Sequence, residues 1–109
     1  MSMVKAMVKI HGNWCGPNWT GGKNVAAKDY KGSWNGPAVS KLDKACRKHD
    51  KKCASRGDKG CCRSDDAQLV RTALKESLNP INILFRPAYA ATAAAVANGI
   101  NLASLTRRC

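Results

Sequence analysis

Apolar residues recur at helical spacing in separate stretches of the chain. In the first, Leu42, Ala45, Cys46, His49 and Cys53 follow an i, i+3, i+4, i+7 rhythm, while Lys44, Lys48, Lys51 and Lys52 fall elsewhere, toward water. Ser40 suits an N-cap, and Asp43 stands three residues on, in a capping-box position. The spacing therefore predicts a helix from about Lys41 to Ala54. Gly57 and Gly60 mark a short loop. In the second stretch Leu69, Val70, Ala73, Leu74 and Leu78 form the stripe. Ser64 is the expected cap, Asp65 and Asp66 favour the first turn, and Asn79-Pro80 ends the helix. A third helix is expected to open at Pro87 and to cover about Ala88 to Ala97 or further. Two helices joined by a short link read as antiparallel neighbours.

Upstream, residues 11–37 are rich in Gly, Asn, Pro and Trp. His11 to Trp19 reads as a tight loop, and Lys23 to Trp34 as holding a short extended piece. The uncharged run Ala88 to Leu105 reaches the length of a membrane span. Thr92, Asn98, Gly99, Asn101 and Ser104 interrupt it, so a packed core helix is expected instead.

The chain has 109 residues, the size of one small domain, and neither a Gly period nor a heptad register. It carries 19 Lys+Arg against 7 Asp+Glu, a net charge of +12, which favours polyanionic partners. No stacking-aromatic or helix-turn-helix pattern accompanies that charge, so anionic lipid is expected and nucleic acid is not. The six cysteines imply three disulfides and an oxidising compartment. Met1 to Lys9 holds no apolar core long enough for a signal peptide. The expectation is a secreted or exported protein, present as a mature chain or as the effector end of a larger one. The fold class expected is mainly α: a disulfide-stabilised pair of antiparallel helices, a Gly-rich loop and an Ala-rich C-terminal helix, in one monomeric domain.

Candidate chemistry gathers at Cys46-Arg47-Lys48-His49-Asp50. Here an imidazole stands next to a carboxylate on a helix that follows the Gly/Asn loop. Gly and Asn tolerate positive φ, so such a loop can aim several backbone carbonyls at one spot. Carbonyls plus a carboxylate suit a hard cation such as calcium. A structural zinc site on Cys46, His49 and Cys53, with Cys61 and Cys62 nearby, is the alternative. Calcium is preferred, because zinc leaves the loop unexplained.

Trp14-Cys15-Gly16-Pro17, followed by Leu42-Asp43-x-x-Cys46-x-x-His49-Asp50, resembles the secreted, calcium-dependent phospholipase A2 superfamily. In style it is nearest the bee-venom-like, parvoviral and microbial branches, and the resemblance spans about residues 11–74. It implies that His49 is the general base, acting through water on the sn-2 ester of a phospholipid. It implies that Asp50 and the backbone carbonyls of Trp14, Gly16 and Asn18 hold Ca2+, with the Gly16 amide at the oxyanion. It implies a Cys15–Cys46 disulfide and a second-helix Asp that orients His49; Asp66 matches best and Asp65 is the alternative. Asn18 stands where the family often has Gly. Cys53 stands where it often has a Tyr that supports the Asp. The Ala-rich C-terminal part matches no family feature. Pairing of Cys53 with Cys61 or Cys62, and of the remaining one with Cys109, rests on proximity and parity alone.

The function expected is hydrolysis that yields a fatty acid and a lysophospholipid at an anionic membrane. The alternative is a non-catalytic cationic relative that binds or disrupts membranes. Trp14, Trp19 and Trp34, with Lys23, Lys28 and Lys31, are the expected membrane-facing residues, since indoles prefer the interface. No inhibitor or immunity partner is legible in the sequence.

Overall fold

The Ser40 hydroxyl accepts the Asp43 amide N–H (3.0 Å) from an extended backbone, and α1 (Lys41–Ser55) starts there. A computed structural model of the chain describes residues 8–109. The Asp43 side chain turns away from the cap, toward the preceding chain. Fully buried, its carboxylate accepts the backbone N–H groups of Asn13 (3.1 Å), Trp14 (2.9 Å) and Val39 (3.0 Å). Gly12, at φ +59°, makes this approach feasible, because a Cβ there would overlap the Asp43 carboxylate. The loop is thereby fastened to the first turn of α1. Cys15–Cys46 fastens it again one turn later.

The second helix, α2 (Arg63–Leu78), begins before Ser64. Its cap is Cys62, whose extended backbone is held in place by the Cys62–Cys109 disulfide. Asp65 accepts the Cys62 N–H (2.9 Å), and Ser64 stays exposed. The inner face of α2 also differs from the apolar stripe. Leu69 and Ala73 are buried as expected, but Leu74 and Leu78 are exposed, and Asp65, Asp66 and Glu76 are buried. These carboxylates all find partners inside, which the hydrophobic pattern could not register.

Asn79 ends α2 and caps a further short helix, α3 (Pro80–Phe85), by accepting the Ile81 N–H (2.9 Å). The sequence reading assigned no element to these residues. Proline at the first helical position completes that start, and Ile81, Leu84 and Phe85 remain exposed. After Arg86, α4 (Pro87–Ser104) runs well beyond Ala97. Among the described residues, no helix is long and apolar enough to cross a membrane.

The order of contacts defines the packing. The Tyr89 hydroxyl donates to Glu76 (2.6 Å) near the end of α2, and Arg63 at its start donates its N–H to the Cys109 carbonyl (2.8 Å). α4 is therefore antiparallel to α2. Arg56, just past α1, pairs with Asp65 at the start of α2, so those two helices are antiparallel as expected. Leu42, Cys46, Leu69, Ala73, Ala93, Val96 and Ala97 form the shared core. Small side chains on α4 let the helices approach closely. Between Lys23 and Trp34 the expected extended piece is instead a 3-10 turn, Ala27–Asp29. The fold is mainly helical, stapled by three disulfides and without a strand among the described residues.

Asp43→Ala would leave three backbone N–H groups unpartnered. The expected loss is about 3 kcal/mol or more, read as the denaturation midpoint of the oxidised protein. A loss under about 1 kcal/mol would show that the loop holds without this carboxylate.

Candidate functional site

Helical spacing puts His49 one turn beyond Cys46 on the buried side of α1, facing α2. His49 Nε2 lies 2.7 Å from Asp66 Oδ1. The same carboxylate accepts two bonds from Arg107, from Nε to Oδ2 (2.9 Å) and from an Nη to Oδ1 (3.2 Å). An ionised carboxylate only accepts, so the imidazole proton sits on Nε2 and Nδ1 carries the lone pair. Asp65 faces another way and pairs with Arg56 (2.9 and 3.2 Å). Of the two acids weighed as partners for His49, Asp66 occupies that position.

On the Nδ1 side stands Asp50, whose Oδ1 is 3.8 Å away, an electrostatic contact longer than a hydrogen bond. A cavity of about 550 Å3 brings Asp50 and His49 together with Trp14, Gly16 and Asn18. The loop reaches this spot through unusual backbone. Asn18 adopts φ +53°, and Gly16, at φ +142°, lies so close to the Val8 carbonyl that a Cβ would overlap it. Asp66 lies behind His49, outside the cavity lining.

Asp50 Oδ2 is buried and has no hydrogen-bond partner among the described residues. An orphaned carboxylate oxygen in a cavity that Trp14, Gly16 and Asn18 also line fits a hard cation, which takes oxygen donors. The zinc alternative does not fit. His49, Cys53 and Cys61 do cluster, but Cys53–Cys61, Cys15–Cys46 and Cys62–Cys109 take up all six sulfurs, so no thiolate remains. Of the two partners left open for Cys53, the protein uses Cys61.

Burial raises the Asp50 carboxyl to about 6, against the pull of neighbouring His49. Burial would lower His49, but the Asp50 and Asp66 carboxylates outweigh it, and the imidazole titrates above its ordinary value. Burial likewise opposes ionisation of Asp66, yet Arg107 and His49 together hold it below the usual carboxylate range.

Of the tryptophans expected to face a membrane, Trp14 is instead buried. Trp14 is 1% exposed; its Nε1–H donates to the Pro37 carbonyl (2.9 Å), and its ring stacks on half-buried Trp34 at 5.7 Å. Half-buried Trp19 donates its Nε1–H to the Gly12 carbonyl (2.9 Å). A Gly-rich loop has few aliphatic side chains, so Trp14 and Trp34, with Tyr30, make its core. Lys23, Lys28 and Lys31 are exposed, and Lys28 lies 3.5 Å from Asp58. Arg107 was missed altogether. It stands 41 residues from Asp66, and only the cysteine count hinted that the chain end returns to α2.

Without metal, Asp50 and His49 both bind protons more tightly folded than unfolded. Their stabilisation is present at low pH and is lost as pH rises, for Asp50 between about 4 and 6 and for His49 through and above 6.5. Asp65 and Asp66 have depressed values, so their contribution is lost below about pH 4. In chelator, thermal midpoints should peak near pH 4–5 and fall toward pH 7. A flat profile in chelator would contradict this electrostatic picture.

Comparison of the chain with models of known protein families, with curated proteins and with solved structures gives no match.

Proposed function

We propose that the protein is a calcium-dependent phospholipase A2-like hydrolase, exported to act at anionic membranes. It cleaves the sn-2 ester of phospholipids to a fatty acid and a lysophospholipid. One observation carries the reading. His49 is held by Asp66 through Nε2, with its basic Nδ1 on the side of Asp50, whose Oδ2 lacks a partner among the described residues, in a cavity shared with the Trp14–Asn18 loop.

In this reading His49 Nδ1 takes a proton from water as the oxygen attacks the ester carbonyl. Asp66 stabilises the imidazolium that results and keeps the ring from rotating. The proton then passes to the departing glycerol oxygen, so water's elements are divided between acid and alcohol. Asp50 and the backbone carbonyls of Trp14, Gly16 and Asn18 would hold calcium, which when bound would supply Lewis-acid polarisation of the ester carbonyl. The Gly16 N–H is the oxyanion donor that the loop offers. Ala95, Val96, Gly99, Ile100 and Ala103 of α4 wall the same cavity with mostly small apolar surface, suited to an acyl chain. The net charge of +12 supports an anionic membrane as the substrate surface, and three disulfides suit an exported protein.

Fatty-acid release from mixed anionic vesicles should require calcium and stop in chelator. His49→Gln should lower it by about a hundredfold or more, with the fold and disulfides intact. Release that persists in chelator or in His49→Gln would sink the reading.

Arg107 is a positioning residue in this scheme, because it acts on His49 through Asp66. Arg107→Gln should lower kcat by roughly ten- to a hundredfold. With the guanidinium gone, the full charge of Asp66 falls on His49, so the ascending limb of the pH–rate profile should move to higher pH. Arg107→Lys should restore part of both effects. A loss of activity with an unmoved profile would reduce Arg107 to a packing role.

A further inference from the structure

A second cavity, of about 260 Å3, opens between α1 and α2 and shares only His49 and Leu69 with the first. Its walls are two polar helix faces. On α2, Gln68, Arg71, Thr72 and Lys75 follow the i, i+3, i+4, i+7 spacing of one face; on α1, Ala45 and Lys48 stand one turn apart. Antiparallel helices commonly set acid against base across such a seam. Here both walls bring bases, and Lys52 stands at the rim, donating to Gln68 Oε1 (2.9 Å).

The acceptors in this groove are already engaged. Asp65 is held by both Arg56 nitrogens and by the Cys62 N–H. The Gln68 carbonyl oxygen is taken by Lys52. Lys48, Arg71 and Lys75 are exposed and make no ion pair among the described residues. Like charges facing each other across helices are destabilising, and nothing in the hydrolytic scheme uses them. A compact anion between the walls would offset that repulsion. Two lysines and an arginine, with the Thr72 hydroxyl beside them, match the several oxygens and multiple charge of phosphate, and the guanidinium fork fits phosphate bidentately.

We propose that the α1–α2 groove is a binding site for a phosphate group, carried by a soluble ion or by a lipid headgroup. Although the groove borders His49, the proposal does not rest on hydrolysis and is tested by binding alone. The test uses the oxidised, full chain at physiological salt, where diffuse surface charge is screened beyond about 8 Å. Amide spectra are recorded during titration with inorganic pyrophosphate. The groove variant Lys48→Gln/Arg71→Gln/Lys75→Gln is compared with a control of equal charge at exposed lysines outside the groove, Lys41→Gln/Lys44→Gln/Lys59→Gln. Saturable shifts should map to α1 and α2. They should weaken by at least about tenfold in the groove variant, the product of three exposed charge contacts, and stay near wild type in the control. Unchanged spectra away from the groove report that both variants are folded.

A second arm uses phosphatidylcholine vesicles with and without phosphatidic acid. Groove-dependent binding to the phosphatidic acid vesicles names a headgroup as the source, whether or not pyrophosphate binds. Groove-dependent pyrophosphate binding with vesicle binding equal in the two variants names a soluble phosphate. The proposal is overturned if neither ligand distinguishes the groove variant from the control.

Discussion

Everything at the first cavity depends on the Asp43 carboxylate being buried against the loop. A loop so rich in glycine has a large conformational entropy to lose and little apolar surface with which to offset it. Three backbone N–H groups converging on one acceptor offset part of that loss locally, and the Cys15–Cys46 bridge does so by covalent restraint. Because Asp43 and Cys46 lie on the same helix as His49 and Asp50, the loop and the titratable pair are registered to one rigid element. Positional error between them is then limited to the flexing of a single helix.

The second organising feature is that the interior is partly ionic. Asp43, Asp50, Asp65, Asp66 and Glu76 all lie wholly or largely inside, paired with backbone, His49, Arg56, Arg107 or Tyr89, and among the described residues Asp50 alone is left incomplete. In so small a core, a misplaced helix would strand a buried charge, which costs more than a mispacked leucine. The same inward use of acids leaves the outer surface more basic than the net charge alone conveys. That is the physical origin of the uncompensated faces on α1 and α2.

How much of this was legible follows from the range of each signal. The Ser40 cap, the face of α1 and the proline start of α4 are local, and each was read from neighbouring residues. The face of α2 was misread at Leu74 and Leu78, because periodicity ranks residues by apolarity and cannot foresee that Asp65, Asp66 and Glu76 have partners waiting inside. α3 was overlooked although Asn79-Pro80 reads equally well as an end and as a beginning. The triad of loop, His49 and Asp50 was visible as a motif, whereas Arg107 was not, since no short-range pattern links it to Asp66. Trp14 misled for a related reason: composition counts indoles but does not say whether a loop must use them as its own core.

The Cys53–Cys61 bridge has a consequence for which ions the imidazole can meet. Its Cys53 sulfur lies 3.7 Å from His49 Nε2 and 3.8 Å from Nδ1, and the His49, Cys53 and Cys61 ligand atoms are all within 4.8 Å of one another. Reduced, the two sulfurs would become thiols and, with the ring, a soft nitrogen–sulfur trap for zinc or copper(I). Oxidised, they offer no thiolate, and the ring is left to its carboxylates. The bridge thus withholds from the imidazole the thiolates that a soft metal would need.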